Sequence, residues 1–187
     1  MLVILSGVAG AGKDTVTKEL LKTIPNAVTL PSYTDRAKRE GDIEGETYNF
    51  VTTKQFEEMI KNNELYEYNV HHNHYYGTSR TLLKQKLDSG KIIIKDIDVN
   101  GTENLVKILK NDVKVITVFL KVSKEEIISR LKQREDKPSE QEIALRMSRF
   151  EYEESKMNIY DYIIENNDLE KTVNIIKSII SDELGGL

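Results

Sequence analysis

Apolar residues along the chain fall into short uninterrupted runs that alternate with amphipathic stretches. A run such as residues 2–5 is typical of a buried strand, and apolar residues three and four positions apart are typical of a helix. The pattern predicts strands over residues 2–5, 27–30, 91–95, 113–122 and 162–164, and helices over residues 15–24, 54–63, 79–87, 101–109, 124–134, 139–156 and 168–181. This alternation predicts an α/β fold in which helices flank a parallel sheet.

Residues 32 to 80 depart from that alternation. Residues 32–51 are polar, include two glycines and have no helical period, so we expect a long loop, and loops of that length are usually functional. Residues 64–76 alternate loosely between apolar and polar positions, which predicts a β-hairpin that Gly77 ends. We therefore expect a small lobe inserted into one domain that spans all 187 residues.

A glycine-rich segment lies between the first predicted strand and the first predicted helix. In that context the pattern G-x-x-x-x-G-K binds nucleotide phosphates, because glycines let backbone N–H groups close around an anion and the helix N-terminus adds partial positive charge. We expect Lys13 to reach the terminal phosphates as a point charge. The expected ATP-binding residues of this segment are Gly7, Val8, Ala9, Gly10, Ala11, Gly12, Lys13, Asp14 and Thr15.

Asp14 is the position at which the segment departs from the motif, which has serine or threonine there to bind magnesium. The carboxylate could bind Mg²⁺ directly or through water. Alternatively, it could stabilise the first turn of the helix through its charge, while Thr15 and waters serve the metal. We favour contact with magnesium and keep the helix-dipole role as the alternative.

Composition limits the function classes. The hydrophobic content of 39% and charged content of 31% are those of an ordinary globular domain, and the net charge of -4 argues against broad nucleic-acid binding. The chain has no cysteine, and therefore no disulfide, thiolate metal site or cysteine nucleophile. No apolar run approaches the ~18 residues of a membrane span and no signal peptide precedes the first strand, so we expect no membrane partner and a cytoplasmic location.

Arginine is confined to two regions of the chain, whereas lysine is scattered. The arginines are Arg36, Arg39 and Arg80 in the first region, and Arg130, Arg134, Arg146 and Arg149 in the second. The planar guanidinium suits bidentate phosphate binding. Two arginine regions and a phosphate loop suggest that two phosphate groups are brought together.

Residues 32–51 carry a more specific pattern, S-x-T-x-R-x-x-R-x-G-[DE]-x-x-G-x-x-Y-x-F-V. Together with Glu67 and residues 75–78, 96–98 and 162–168, it resembles the signature of guanylate kinases over nearly the whole chain. The resemblance implies the P-loop fold of a nucleoside monophosphate kinase. Its parts would be a core over residues 1–31, 81–133 and 146–187, an acceptor-binding lobe over 32–80 and a mobile lid over 134–145.

The resemblance also implies the activity, which is ATP-dependent phosphorylation of GMP, with dGMP as a plausible second acceptor and Mg²⁺ as cofactor. The implied GMP-binding residues are Ser32, Arg36, Arg39, Tyr48, Glu67, Tyr76, Gly77, Thr78 and Asp96. Glu67 would accept hydrogen bonds from the guanine N1–H and exocyclic amine, a pair that adenine lacks. The implied residues on the donor side are Lys13, Arg134 and Arg146 for catalysis, Arg130 for the donor phosphates, Asn166 near the adenine, and Asp98 as a candidate magnesium ligand.

Some positions differ from the family pattern. Asp35 replaces the threonine that normally precedes Arg36, and Gln133-Arg134-Glu135-Asp136 replaces a glycine-flanked arginine and a following threonine. An aspartate after the P-loop lysine also resembles ribose bisphosphate kinases, so a kinase for ribose 1,5-bisphosphate or for another nucleoside monophosphate is an alternative. A guanylate-kinase-like binding module and a plain NTPase are weaker alternatives. We expect Arg149 and Arg80 to lie on helix surfaces.

Overall fold

The strands and helices lie close to the positions that the apolar pattern predicts, in a computed structural model that describes residues 1–71, 73–109, 111–133 and 138–185. The strands are β1 (Leu2–Ser6), β2 (Ala27–Thr29), β3 (Ser32–Thr34), β4 (Tyr48–Phe50), β5 (Leu65–His71), β6 (His74–Ser79), β7 (Ile92–Asp96), β8 (Val115–Lys121) and β9 (Tyr162–Glu165). The helices are α1 (Lys13–Thr23), α2 (Thr53–Lys61), α3 (Arg80–Asp88), α4 (Val99–Leu109), α5 (Lys124–Lys132), α6 (Glu140–Met147), α7 (Phe150–Ser155) and α8 (Leu169–Glu183), with a 3₁₀ turn over Met157–Ile159.

The larger sheet has five strands in the order β2-β7-β1-β8-β9. It is the expected parallel sheet flanked by helices. The middle strand, β1, is buried at all five positions, which explains why its sequence is an apolar run without alternation. The glycine-rich segment follows β1 directly. The carboxylate of Asp96 ends β7, and that of Asp98 lies in the segment that follows.

The smaller sheet has four strands in the order β4-β3-β6-β5. Strands β5 and β6 form the predicted hairpin, and β3 runs antiparallel to β6 and parallel to β4. Two expectations for this region are wrong. Residues 32–51 contain β3 and β4 rather than only loop, and Gly77 lies inside β6 rather than ending the hairpin. Three-residue polar strands carry too little periodicity to be recognised, and their pairing partners are distant in sequence.

Gly77 is tolerated in a strand because another part of the chain approaches it closely. A Cβ atom at this position would lie 2.9 Å from both Leu65 Cδ1 and Phe56 Cζ, and 3.2 Å from the carbonyl oxygen of Glu67. Phe56 and Leu65 belong, with Met59, to the apolar cluster that α2 packs against the smaller sheet. The glycine therefore marks close packing of β6 against this cluster.

Helix α6 begins where the capping-box sequence predicts it, and ends earlier than predicted. Ser139 accepts a hydrogen bond from the Glu142 amide, and the Glu142 side chain accepts one from the Ser139 amide. The sequence predicts one helix through residue 156, but α6 ends at Met147 and α7 begins at Phe150. At the break, the Ser148 hydroxyl donates to the carbonyl of Leu145 at 2.7 Å, one of the local bonds by which serine competes with regular helix geometry.

The chain forms two compact units, each made of several segments. The first unit comprises Met1–Val3, Asn26–Lys95 and Asn100–Val115, and the second comprises Ile4–Pro25, Asp96–Val99 and Ile116–Leu187. The first unit contains the smaller sheet, and the second contains the glycine-rich segment and α5 to α8. Within the described residues, no helix is both long enough and apolar enough to cross a membrane.

We predict that Gly77→Ala lowers the free energy of unfolding by about 1–3 kcal/mol, because the new methyl group overpacks the cluster around Phe56 and Leu65. Urea unfolding followed by circular dichroism measures the change. In a Leu65→Ala background the cost of Gly77→Ala should be smaller, because the second substitution opens space beside residue 77. Equal costs in the two backgrounds would contradict the steric explanation.

Candidate active site

The glycine-rich segment of the second unit forms a tight loop that ends on a helix N-terminus. Gly12 is the N-cap of α1 with φ of 91°, a left-handed conformation in which a side chain is strained. Lys13, the first residue of α1, folds back over the loop, and its Nζ donates to the carbonyl oxygens of Gly7 at 2.7 Å and Val8 at 3.4 Å. The first turn of a helix has no intrahelical partners for its N–H groups, so loop, helix end and ammonium together form an anion site.

Two side chains that are distant in sequence lie against this loop. The buried Asn166, which follows β9, donates through Nδ2 to the carbonyl of Ala11 at 2.7 Å. Arg130, on α5, donates through Nη2 to the carbonyl of Asn166 at 2.8 Å and through Nε to Glu126 at 2.8 Å. A Cβ atom on Gly12 would approach Asn166 Nδ2 to 2.9 Å and Arg130 Nη1 to 3.7 Å, so both residues border the loop.

Asp98, the candidate metal ligand after β7, lies beside Arg149. Its Oδ2 is 3.5 Å from Nη2 of Arg149, whose Nε is 3.4 Å from Oε1 of Glu153. The sequence analysis assigns Arg149 to a helix surface, and the residue is half-buried at the N-terminus of α7 and carries an ion pair to a site segment. Arg149 therefore lies at the surface of α7, where it pairs with Glu153 of the same helix, and its contact with Asp98 is an additional one. Arg149 lies three positions after Arg146 in the second arginine region, and this spacing is the signal in the sequence that could have pointed to a role for Arg149.

The two catalytic arginines expected from the lid differ in what the structure describes. Arg134 lies outside the described residues. Arg146 lies on α6, and its side chain is likewise outside the description. Their roles therefore stay predictions.

Most of the expected acceptor residues lie in the first unit, and four of them form one row across the smaller sheet. Ser32 pairs with Tyr48 in β4, and Tyr33 pairs with Gly77 in β6, which places Ser32 beside Thr78. Thr78 pairs in turn with Glu67 in β5. Residues opposite one another on neighbouring strands point to the same face, so the row presents its side chains together.

Glu67 and Thr78, at one end of this row, are buried and hydrogen-bonded to each other. The side chains are 7% and 0% exposed, and the Thr78 hydroxyl donates to Glu67 Oε1 at 2.5 Å. A buried carboxylate is unfavourable unless donors surround it. An ionised carboxylate has about four acceptor positions, so Glu67 can take further donors from a ligand, as the expected role in guanine recognition requires.

Arg36 is held at the other end of the site by a carboxylate and by aromatic rings. It is 8% exposed, its Nη2 lies 2.9 Å from Asp42 Oδ2, and its guanidinium carbon lies 5.1 Å from the centre of the Tyr48 ring. The Tyr48 ring contacts that of Tyr76 edge to face, with centroids 5.7 Å apart. Three of the expected phosphate-binding side chains are thus neighbours.

Arg39 and Gly77 are two further residues expected at the acceptor site, and Asp42 contacts the first of them. Arg39 is exposed, and its amide donates at 2.8 Å to the same Asp42 oxygen that binds Arg36. Asp42 therefore shapes the loop that carries both arginines, a role the sequence analysis does not assign. Gly77 is buried next to Leu65 and Phe56, and its assignment to the GMP site stays a prediction.

Asp35, where the sequence departs from the family pattern, has a structural role. Its Oδ1 accepts from the Tyr75 amide and its Oδ2 accepts from the Thr53 hydroxyl, both at 2.8 Å. These bonds connect the start of the loop that carries Arg36 and Arg39 (the arginine loop) to β6 and to α2. An aspartate at this position therefore fixes the start of the loop beside Arg36.

Lys95 and Asp96 close β7. Asp96 is half-buried at the end of the strand, where the resemblance places an acceptor carboxylate. Lys95 is fully buried and donates to Ser32 Oγ at 2.8 Å, so it contacts the acceptor row. The sequence analysis treats Lys95 only as a strand residue. A lysine directly after three isoleucines, in a strand that must be buried, is the signal that could have identified it.

Comparison with known proteins gives one consistent result. A sequence model described as guanylate kinase matches residues 1–183. A guanylate kinase of Helicobacter pylori is 40% identical over 178 residues, which cover 95% of this chain and 85% of the relative. A guanylate kinase of Wolbachia pipientis is 38% identical over 184 residues, which cover 98% of this chain and 90% of the relative.

Solved structures agree with the sequence comparison. A crystal structure of guanylate kinase from Anaplasma phagocytophilum has a TM-score of 0.77 and 27% identity, and the match covers 98% of this chain and 85% of that one. A shikimate kinase from Bacteroides thetaiotaomicron, 15% identical with a TM-score of 0.50 over 97% of this chain and 98% of its own, shares the fold. The chain described here belongs to the guanylate kinase family.

Proposed function

We propose that this protein transfers the terminal phosphoryl group of ATP to GMP, and to dGMP as a second acceptor. The observation that carries the proposal is the buried Glu67, held by Thr78 and aligned with Ser32 on one sheet face. A buried acceptor pair matches the adjacent N1–H and amine donors of guanine, and adenine offers no such pair. The relatives named guanylate kinase at 38–40% identity support the same acceptor.

The chemistry requires no general base, because the attacking oxygen of a nucleoside monophosphate is already anionic. Catalysis therefore consists of positioning the two nucleotides and stabilising charge on the transferring group. In the proposed mechanism, the loop amides and the Lys13 ammonium bind the donor phosphates. Arg36, Arg39, Tyr48 and Tyr76 bind the acceptor phosphate through guanidinium and phenol donors.

Arginines of the second region and the proposed lid complete the donor side. Arg130 and Asn166 border the phosphate loop, which supports their roles near the donor nucleotide. Arg134, in a lid over residues 134–145, and Arg146, directly after that lid, are proposed to reach the transferring phosphoryl group. The core and the acceptor lobe keep the bounds given above. Closing such a lid would exclude water, which otherwise competes with GMP as acceptor.

The donor set beside the phosphate loop suits magnesium. Asp14 and Thr15 are exposed in the first turn of α1, directly after Lys13, and offer the hard oxygen ligands that Mg²⁺ prefers. In the part of the chain that the structure describes, no group of three or more His, Cys, Asp or Glu side chains could hold a metal. Magnesium in kinases needs only one or two protein oxygens besides phosphates and waters, and when bound it neutralises phosphate charge.

Asp98 remains the second proposed ligand. Its carboxylate lies 3.5 Å from the Arg149 guanidinium, so the two groups form a charged pair in the second unit. In the proposed mechanism, Arg149 orients the Asp98 carboxylate.

We predict that Lys13→Ala leaves a folded protein with almost no phosphoryl transfer, because the ammonium that neutralises the donor phosphates is lost. A barrier increase of about 3–4 kcal/mol, several hundredfold in kcat, is the scale of such a group. A coupled assay for ADP release with ATP and GMP measures it. Lys18→Ala, an exposed position on the same helix, is the matched control and should keep full activity. Activity of the Lys13 variant within about tenfold of the parent would exclude the P-loop role.

A second prediction concerns base recognition. Glu67→Gln should weaken GMP binding by about 2–3 kcal/mol, because the amide places a donor against a guanine donor in a buried site. Calorimetric titration of GMP and AMP against both proteins measures the selectivity. Glu57→Gln on the exposed face of α2 serves as control. Unchanged GMP affinity in the Glu67 variant would move the guanine pocket to another part of the molecule.

A third prediction separates the two roles of Asp14. If the carboxylate serves the metal, Asp14→Ser stays active with a shifted magnesium requirement and Asp14→Ala needs markedly more magnesium, because each change alters an oxygen ligand beside the phosphates. Initial rates at saturating ATP and GMP across a magnesium series measure this. Superimposable curves for parent and both variants would assign Asp14 to the helix dipole alone.

A further inference from the structure

Lys95 is a charged residue in a position where charge is costly. It is the penultimate residue of β7 and is 0% exposed. Its Nζ lies 2.8 Å from Ser32 Oγ and 3.4 Å from the carbonyl oxygen of Leu30, all within the first unit. Taking an ammonium out of water is expensive unless hydrogen bonds compensate, so an apolar side chain here would serve stability better. The hydrogen bond to Ser32 suggests that the ammonium group has a role in orienting the Ser32 hydroxyl.

The chemistry of the ammonium group fixes the direction of the hydrogen bond to Ser32. A lysine ammonium has three donors and no acceptor, so Ser32 Oγ is the acceptor in this pair. A serine hydroxyl has a single proton, and that proton must then point to a different acceptor. Lys95 therefore occupies one of the two acceptor lone pairs of the Ser32 hydroxyl and directs the hydroxyl proton away from the ammonium, toward a ligand.

The row of side chains on the smaller sheet shows where that donor lies. Ser32 is beside Thr78, which pairs with Glu67, so the three residues follow one another across β3, β6 and β5. Thr78 gives its own proton to Glu67. The face therefore presents a donor at Ser32 and an acceptor carboxylate at Glu67, two strands away.

We propose that Lys95 is a positioning residue that fixes the Ser32 hydroxyl as a hydrogen-bond donor to the carbonyl oxygen at position 6 of the guanine base. The inference rests on the proposed acceptor. Guanine offers an acceptor at position 6 beside its N1–H and amine donors, which matches a donor at Ser32 and an acceptor at Glu67. Adenine has an amine at position 6, which offers no acceptor to the Ser32 proton, so the contact favours guanine.

The test compares GMP with 6-thio-GMP, in which sulfur, a weak acceptor, replaces only the oxygen at position 6. We expect the parent protein to bind GMP about tenfold more tightly in calorimetric titrations, the scale of one hydrogen bond. Lys95→Met should weaken GMP binding about tenfold and change 6-thio-GMP binding less than about twofold. The preference for GMP over 6-thio-GMP then disappears. The kcat at saturating GMP stays within about threefold of the parent value, because the groups that act in phosphoryl transfer are unchanged.

Three further variants make the result specific. Lys91→Met, an exposed lysine beside the other end of β7, is the matched control and should keep the preference. Lys95→Gln retains a neutral donor and should restore part of the preference, and it also provides the measurement if Lys95→Met does not fold by circular dichroism. In a Ser32→Ala background, Lys95→Met should change GMP affinity less than about twofold, because the two residues act through one contact.

Other outcomes overturn the proposal. Equal weakening of GMP and 6-thio-GMP by Lys95→Met would indicate a purely structural lysine, and additive effects of the Lys95 and Ser32 substitutions would separate the two residues. A parent protein that phosphorylates GMP but binds both nucleotides equally would exclude the donor role of Ser32. Failure of the parent to phosphorylate GMP at all would instead reject the proposed function.

Discussion

The acceptor half of this molecule depends on the pairing of the three-residue strand β3 with two partners at once. It hydrogen-bonds in parallel to β4 and in antiparallel to β6, and so pairs residues up to 44 positions apart along the chain, as Tyr33 and Gly77 are. Buried Thr34 reinforces the junction, because its hydroxyl donates to the carbonyl of Tyr75 at 2.7 Å and accepts from the Arg36 amide at 3.2 Å. These two hydrogen bonds therefore hold the start of the loop that carries Arg36 and Arg39 against β6.

The consequence of this pairing is that side chains with different chemistry share one sheet face. Ser32 is in register with Tyr48 on one side and lies beside Thr78 on the other, with Glu67 beyond. Because alternate residues of a strand point to opposite faces, a shift of one residue in β3 would remove Ser32 from the row. The proposed recognition of the base would thus depend on strand register as well as on the identity of the side chains.

Burial of charge is the second constraint on the site. Arg36, Glu67 and Lys95 are each less than 9% exposed, and each has a hydrogen-bond partner of matching chemistry in Asp42, Thr78 and Ser32. Buried ionic groups contribute little net stability compared with apolar residues of similar size. Such burial gives up stability to hold donors and acceptors in fixed orientations, as the proposed recognition of a base and a phosphate would require.

The sequence by itself determined the features that depend on local contacts. The glycine-rich loop between β1 and α1 was located from sequence, because strand, glycines, lysine and helix start are contiguous, and Gly12 adopts a left-handed conformation there. The α/β alternation and the α6 capping box are also local, and the resemblance supplied the residues around Glu67. Only the tertiary structure decided which distant side chains meet. The pairing of β3 and β4, the Arg149–Asp98 contact and the burial of Lys95 against Ser32 join residues 16, 51 and 63 positions apart, and no local preference encodes such contacts.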